Sequence, residues 1–212
     1  MRVYQLETLP FGAVAPSVIC LGVFDGVHLG HQQLIKECLK TAKEKHLLPV
    51  VHTYEPLPMR VIAPDHQLLE LTTTNERLEL IVRYGIKDIA ISRFDETMQH
   101  TSGLDFFKQV LLGKLNARHI VAGFDHRFGF KGDTDTGKLK ALCEGEGIGF
   151  SLISPVKTPS GQVISSSAIR KAIKDRDYAL AEEMLGRPLE DTMKQRLHIT
   201  DEPGRYNGGL TE

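Results

Sequence analysis

Two rhythms of apolar residues alternate along the chain. Short apolar runs recur at residues 17–23, 49–54, 88–92, 119–123 and 149–153. Runs of that length read as strands covered on both faces. Between them the apolar residues return every third or fourth position. Leu34, Ile35, Cys38, Leu39 and Ala42 make one such stripe. Leu78, Ile81 and Val82 make another, in a helix expected over residues 74–84 and ended near Gly85. Further helices are expected over 102–112, with Ser102 as N-cap and Asp105 at N3, and over 137–144, 166–175 and 178–185. Strand and helix therefore alternate, which predicts an α/β fold: a five-stranded parallel sheet with helices on both faces. Ligands of such sheets bind beyond the carboxyl ends of the strands. The ends of the first and fourth strands, His28–His31 and 123–129, are thus candidates to face one crevice.

Near Pro188 the pattern changes. Residues 190–196 are polar, 196–200 suit one short strand, and 201–209 are rich in turn formers. This tail is too small to fold alone. A domain over 1–188 and a tail over 189–212 are the expected units.

Composition narrows the class. The chain has 212 residues, 41% hydrophobic and 25% charged, enough for one ordinary core. A net charge of −1 leaves no basic excess to grip nucleic acid. The three cysteines, Cys20, Cys38 and Cys143, lie far apart and read as buried thiols. No run reaches membrane-spanning length and no signal peptide is evident, so a cytoplasmic protein without a membrane partner is expected.

The densest chemistry follows the first strand, in Val23-Phe24-Asp25-Gly26-Val27-His28-Leu29-Gly30-His31. Gly26 and Gly30 permit a sharp turn and a close backbone approach to a ligand. His28 and His31, three apart, share a face of the first helical turn. Free N–H groups and the helix dipole there favour a phosphate. A metal would need more ligands, and only His119, His126 or a distant acid could supply them. The plain alternative is two partly buried imidazoles. The strand and the bracketing glycines favour nucleotidyl transfer over hydride chemistry.

Ile164-Ser165-Ser166-Ser167-Ala168-Ile169-Arg170 offers hydroxyls and N–H groups at a helix start, with an arginine fork one turn in. A serine cap with a surface arginine is the simpler reading of the same residues. The stretch 123–133 mixes glycine, aromatic and charged residues after a strand, as a ligand loop or a packed loop would. Thr53-Tyr54-Glu55-Pro56-Leu57-Pro58 is stiffened by its prolines and either lines the site or covers the sheet edge. Residues 132–139 nearly match a P-loop. Leu139 stands where the Mg²⁺-binding hydroxyl belongs, and Asp133 and Asp135 would repel phosphates, so a polar loop entering a helix is expected.

Taken together, the segments 22–31, 164–170 and Leu185-Gly186-Arg187-Pro188 resemble the adenylyltransferase module of the prokaryotic FAD synthetase family (riboflavin kinase/FMN adenylyltransferase). The resemblance runs over about residues 15–188. His-x-Gly-His alone is shared with other nucleotidylyltransferases; its combination with Ile-Ser-Ser-x-x-Ile-Arg is far more specific. Ser167 stands where threonine is usual, Tyr54 where phenylalanine is, and Leu57 where histidine often is. His126 interrupts a loop that is usually phenylalanine-rich or polar.

The resemblance implies a Rossmann-like nucleotidylyltransferase fold and an FMN adenylyltransferase: ATP plus FMN gives FAD and pyrophosphate. It implies catalytic roles for His28, His31 and Arg170. ATP would also meet Gly22, Phe24, Asp25, Gly26, Asp125, Ser165, Ser166 and Ser167. Tyr54, Pro56, Phe124 and Phe128 are the flavin-side candidates. Mg²⁺ is expected with ATP, its protein ligands unassigned. The family's kinase barrel would follow Pro188, where two dozen residues remain, so riboflavin kinase activity is expected to be missing and the tail to be a remnant at most. Two other readings fit the same residues: a nucleotidylyltransferase with another phosphate acceptor, and a regulatory paralogue that binds nucleotide without transfer.

Overall fold

The structure is a computed structural model that describes residues 1–65, 68–197 and 199. Six parallel strands form one sheet in the order β1-β4-β3-β2-β5-β6. They are β1 (Arg2–Gln5), β2 (Ser17–Leu21), β3 (Leu48–Glu55), β4 (Asp88–Arg93), β5 (Ala117–Gly123) and β6 (Gly149–Ile153). Five match the expected strands. The sixth, β1, corrects the count. It is a four-residue edge strand with exposed ends, too short to show a pattern of its own. Pairing with β4 holds it, Val3 beside Ile89, and Tyr4 Oη donates to Asp88 at 2.8 Å.

The alternation of side chains divides β2 between the two faces. Val18 and Cys20 pack on α1 (Leu29–Lys45) through Leu34, Ile35 and Cys38, in a cluster that also takes Leu78 and Ile81 of α3 (Thr74–Arg83). Ile19 and Leu21 face the other way, in a cluster with Phe107, Leu111, Leu139 and Cys143. Burying each such side chain contributes about 1.5–3 kcal/mol. Short helices the periodicity did not show, α2 (Pro58–Ile62) and α4 (Glu96–His100), follow β3 and β4. Next come α5 (Gly103–Asp105), capped by Ser102 as expected, and a π-helical continuation over Phe106–Lys114. A run this short does not distinguish that wider winding from an α-helix by periodicity. After β5 comes α6 (Thr136–Gly145), capped by Asp135. Lys138 Nζ donates to the Asp133 carbonyl at 2.6 Å, so the P-loop-like stretch is a polar loop entering a helix, as expected.

A third cluster joins α7 (Ser166–Lys174) and α8 (Tyr178–Leu185). It also includes Leu189 and Met193 of α9 (Asp191–Arg196) and its approach. Packing thus continues past Pro188. The strand expected over 196–200 is not seen where the chain is described: Arg196 closes α9. His198, Thr200 and the turn-rich stretch 201–209 lie outside the described residues.

Candidate active site

The sheet order reverses between β2 and β5, and a cleft of about 340 Å³ opens beyond their carboxyl ends. Gly22, Val23, His28, Gly30 and His31 line it from the β2 side, and Gly123 to Arg127 from β5. Ser165, Ser166 and Ser167 close it at the start of α7. The expected meeting of the two strand ends therefore occurs, and the serines join it.

His28 is the N-cap residue of α1, with an extended backbone and no side-chain capping bond. Its ring stacks on that of His31, centroids 3.7 Å apart and planes 21° apart. Gly30 leaves it room: a Cβ there would sit 3.1 Å from the His28 ring, a tight contact. The Nδ1 atoms of both rings are buried without hydrogen-bond partners. Burial, then the Arg187 and Arg170 charges, push the His28 pKa down to about 4. Burial, then His28 and Arg77, hold His31 well below its ordinary value. Both rings are therefore neutral at neutral pH.

The turn that delivers His28 is strained. Phe24, Gly26 and Val27 have φ of 60°, 82° and 40°, and the left-handed region is uncommon for phenylalanine and rarer for a branched valine. Each carbonyl of the turn is held. Thr53 Oγ1 donates to Val23 at 2.8 Å, the Val27 N–H to Phe24 at 3.1 Å, and Ser166 Oγ to Asp25 at 2.9 Å. Arg187 donates to Gly26 at 2.7 Å, and Gln32 to Val27 at 3.0 Å.

Four of the expected nucleotide residues, Phe24, Asp25, Gly26 and Arg170, are absent from the lining of the cleft. Phe24 is fully buried, its ring 4.9 Å from that of His31. Asp25 is 1% exposed and accepts from the amides of Leu71 and Thr72 and from the Thr72 hydroxyl. Its remaining partner is Arg170, whose Nε also donates to the Leu69 carbonyl at 2.7 Å. Gly26 packs so closely on Leu71 that a Cβ would come within 2.8 Å. Asp25, Gly26 and Arg170 thus build the turn, with Nη2 and Nε of Arg170 engaged there. The serines divide their work. Ser165 caps α7, accepting from the Ala168 N–H at 3.1 Å, and Ser166 holds Asp25.

A second cavity of about 690 Å³ adjoins the cleft and shares Val23, His126 and Arg127 with it. Its walls are aromatic. Tyr54 meets Phe94 edge-on at 5.5 Å, Phe106 lies 5.4 Å from Phe128, and Phe130 stacks on His100 at 5.0 Å. Tyr54 and Phe128, two of the four flavin-side candidates, line this cavity. Phe124 lines the first cleft instead, and Pro56 lines neither. The Phe124 side chain stands beside Asp125 on the β5 side, so local sequence could not assign it to one compartment. Behind Tyr54, His52 donates to or accepts from Ser92 at 2.8 Å, and burial holds its pKa down at about 3.

Sequence reasoning missed Arg77, which is 1% exposed and joins the two compartments from below. Its Nη2 donates to the Tyr54 carbonyl at 2.8 Å and its Nη1 to that of Val23 at 3.4 Å. The available signal was its place four residues before Ile81, on the inward face of α3. Among the described residues, no group of three His, Cys, Asp or Glu side chains could hold a metal ion by itself. No helix among them is long and apolar enough to cross a membrane.

Comparison with known proteins adds the following. The family model for FAD synthetase matches residues 13–168. The bifunctional riboflavin kinase/FMN adenylyltransferase of Bacillus subtilis is 35% identical over 175 residues, 82% of this chain and 54% of that protein. The protein of the same name from Escherichia coli K12 is 32% identical over 192 residues, covering 90% of this chain and 60% of its own. The chain spans a little over half the length of these curated relatives. A crystal structure described as a macrolide-efflux protein from Streptococcus pneumoniae superposes with a TM-score of 0.78 at 30% identity, over 89% of this chain and 61% of that one. A pantoate–β-alanine ligase from Francisella tularensis shares the fold, with a TM-score of 0.53 at 12% identity, over 86% of this chain and 77% of that one.

Proposed function

The chain belongs to the FAD synthetase family, and from that premise we propose that it is an ATP:FMN adenylyltransferase. One observation carries the reading. The N-termini of α1 and α7, neither with an acid in its first turn, converge with a stacked histidine pair on a cleft that opens into an aromatic cavity. The cleft suits a polyphosphate, and the cavity a flat ring system.

In the proposed reaction an oxygen of the FMN phosphate attacks the α-phosphorus of ATP in line. The new P–O bond forms as the bond to the bridging oxygen breaks, and pyrophosphate leaves with the electron pair. The protein supplies no covalent nucleophile, only position and charge stabilisation. His28 and His31 meet the phosphates as charge grows on the leaving group. A bound polyanion raises the histidines' proton affinity, opposing the burial that keeps them neutral. The backbone N–H groups at Ser166 and Ser167 and the hydroxyl of Ser167 take the outer phosphates. Arg170 acts through Asp25, by holding the turn. Tyr54, Phe128, Phe106 and Phe130 enclose the flavin, and Phe124 stands at the nucleotide end. Among the described residues Asp125 is the one carboxylate lining the cleft, which suits Mg²⁺ carried mainly by phosphate oxygens and water. When bound, Mg²⁺ would spread the charge of the departing pyrophosphate.

The test is chromatography of flavins after incubation with ATP, Mg²⁺ and either FMN or riboflavin. FAD from FMN is the expected product. Transfer to pantetheine phosphate or nicotinamide mononucleotide without FAD would overturn the choice of acceptor, and nucleotide binding without pyrophosphate release would overturn transfer itself. His28→Ala and His31→Ala should each lower kcat by about 100-fold, with a much smaller change in KM for ATP.

A further inference from the structure

The tetrad Leu185-Gly186-Arg187-Pro188 reads in the sequence as the end of a module. In the fold it turns back onto the site. Gly186 closes α8 in the left-handed region at φ 67°, and a Cβ there would lie 2.4 Å from Leu29 Cδ2, at the start of α1. The left-handed backbone favours glycine there, and a larger residue would also displace the Leu29 side chain. Arg187 follows at once, and its fork reaches the turn that carries the histidines. Nη2 donates to the Gly26 carbonyl at 2.7 Å and Nη1 to that of Val27 at 3.3 Å. The Gln32 amide ties the two segments again, donating to Val27 at 3.0 Å and to Leu185 at 2.9 Å. Gly26 and Val27 have φ of 82° and 40°, and such a turn persists only where its surroundings over-determine it.

We propose that Arg187 is a positioning residue for the histidine pair: its planar fork fixes the Gly26 and Val27 carbonyls, and through them the seat of His28 and His31 over the cleft. It touches neither substrate in this assignment. The geometry agrees with the charges that face His28, which are Arg187 after α8, Arg170 on α7 and His31 on α1 itself. Arginine suits the task because it serves two acceptors in one plane, whereas lysine offers the same charge at a single point.

The kinetic part of the test rests on the transferase reading; the titration part does not. Arg187→Met and Arg187→Lys are compared with the parent below their melting temperatures, by kcat, by KM for ATP and by the His28 ring pKa from NMR. Arg187→Met should lower kcat by about 10- to 100-fold with KM changed less than about three-fold, as expected when reacting groups lose their placement. Its His28 pKa should rise, because a neighbouring positive charge is gone. Arg187→Lys should keep the low His28 pKa yet recover only part of kcat. Parent-like kcat in either variant, or an unmoved His28 pKa in Arg187→Met, would overturn the assignment. If Arg187→Met does not fold, kcat of Arg187→Lys decides alone. If the parent makes no FAD from ATP and FMN, the transferase reading fails, and an unmoved His28 pKa in Arg187→Met would still overturn the placement of Arg187 beside the pair.

Discussion

Single residues set the site by close approach. At Gly30 a Cβ would stand 3.1 Å from the His28 ring, a tight contact beside the stacked pair at 3.7 Å. Asp25 illustrates the opposite outcome, a charge in a phosphate-handling motif that turns inward. Buried, it accepts from Leu71, Thr72 and Arg170 and so anchors the turn. Arg77 does comparable work between Val23 and Tyr54. Replacing it by methionine leaves the Tyr54 carbonyl without its guanidinium donor, which costs about 2 kcal/mol. Urea denaturation of Arg77→Met should show that loss in the midpoint. An unchanged midpoint would mean that water or a neighbour takes over the bond.

Elements bring these residues to one place. The helices α1 and α7 start at the same cleft, and neither carries an acid in its own first turn to offset its N-terminal dipole. The C-terminal end of α8 is equally specific. Gly186 combines a φ of 67° with Leu29 at 2.4 Å from any Cβ. Gly186→Ala should therefore lower stability by more than about 1 kcal/mol, through the left-handed backbone and the clash together. It should also perturb His28, because Arg187 follows directly. A parent-like melting temperature would show that α1 and α8 can slide apart there. The helix expected from residue 74 begins there, and the structure adds its cap, a reciprocal capping box of Thr73 and Glu76.

The whole molecule carries several histidines whose protonation the fold opposes. Burial lowers His28 and His126 to about 4 and His52 to about 3, and His31 lies well below its ordinary value. Below pH about 6.5 the unfolded chain binds protons at these sites that the folded chain refuses. Stability should therefore fall as pH drops from about 6.5 toward 4, by up to about 1.4 kcal/mol per pH unit for each fully titrating histidine. Melting temperatures between pH 8 and pH 4.5 test this. A flat profile over that range would mean that the rings titrate as freely in the folded protein as in the unfolded one.

The alternation of apolar runs and helical stripes determined the parallel sheet, its helix-covered faces and five of its strands, because those patterns are local and repeat along the chain. The turn after the first strand and the serine-capped helix were also legible as local structure, because glycine after a strand and serine before an apolar stripe are local signals. Tertiary structure alone decided which charges face a ligand and which face one another. Asp25 and Arg170 lie 145 residues apart, and Gly26 and Arg187 161 apart, so no local pattern couples them. It alone made the aromatic cavity, whose walls come from β3, from residues after β4 and from the loop after β5. It alone added β1, which is a strand because β4 offers it an open edge of N–H and C=O groups.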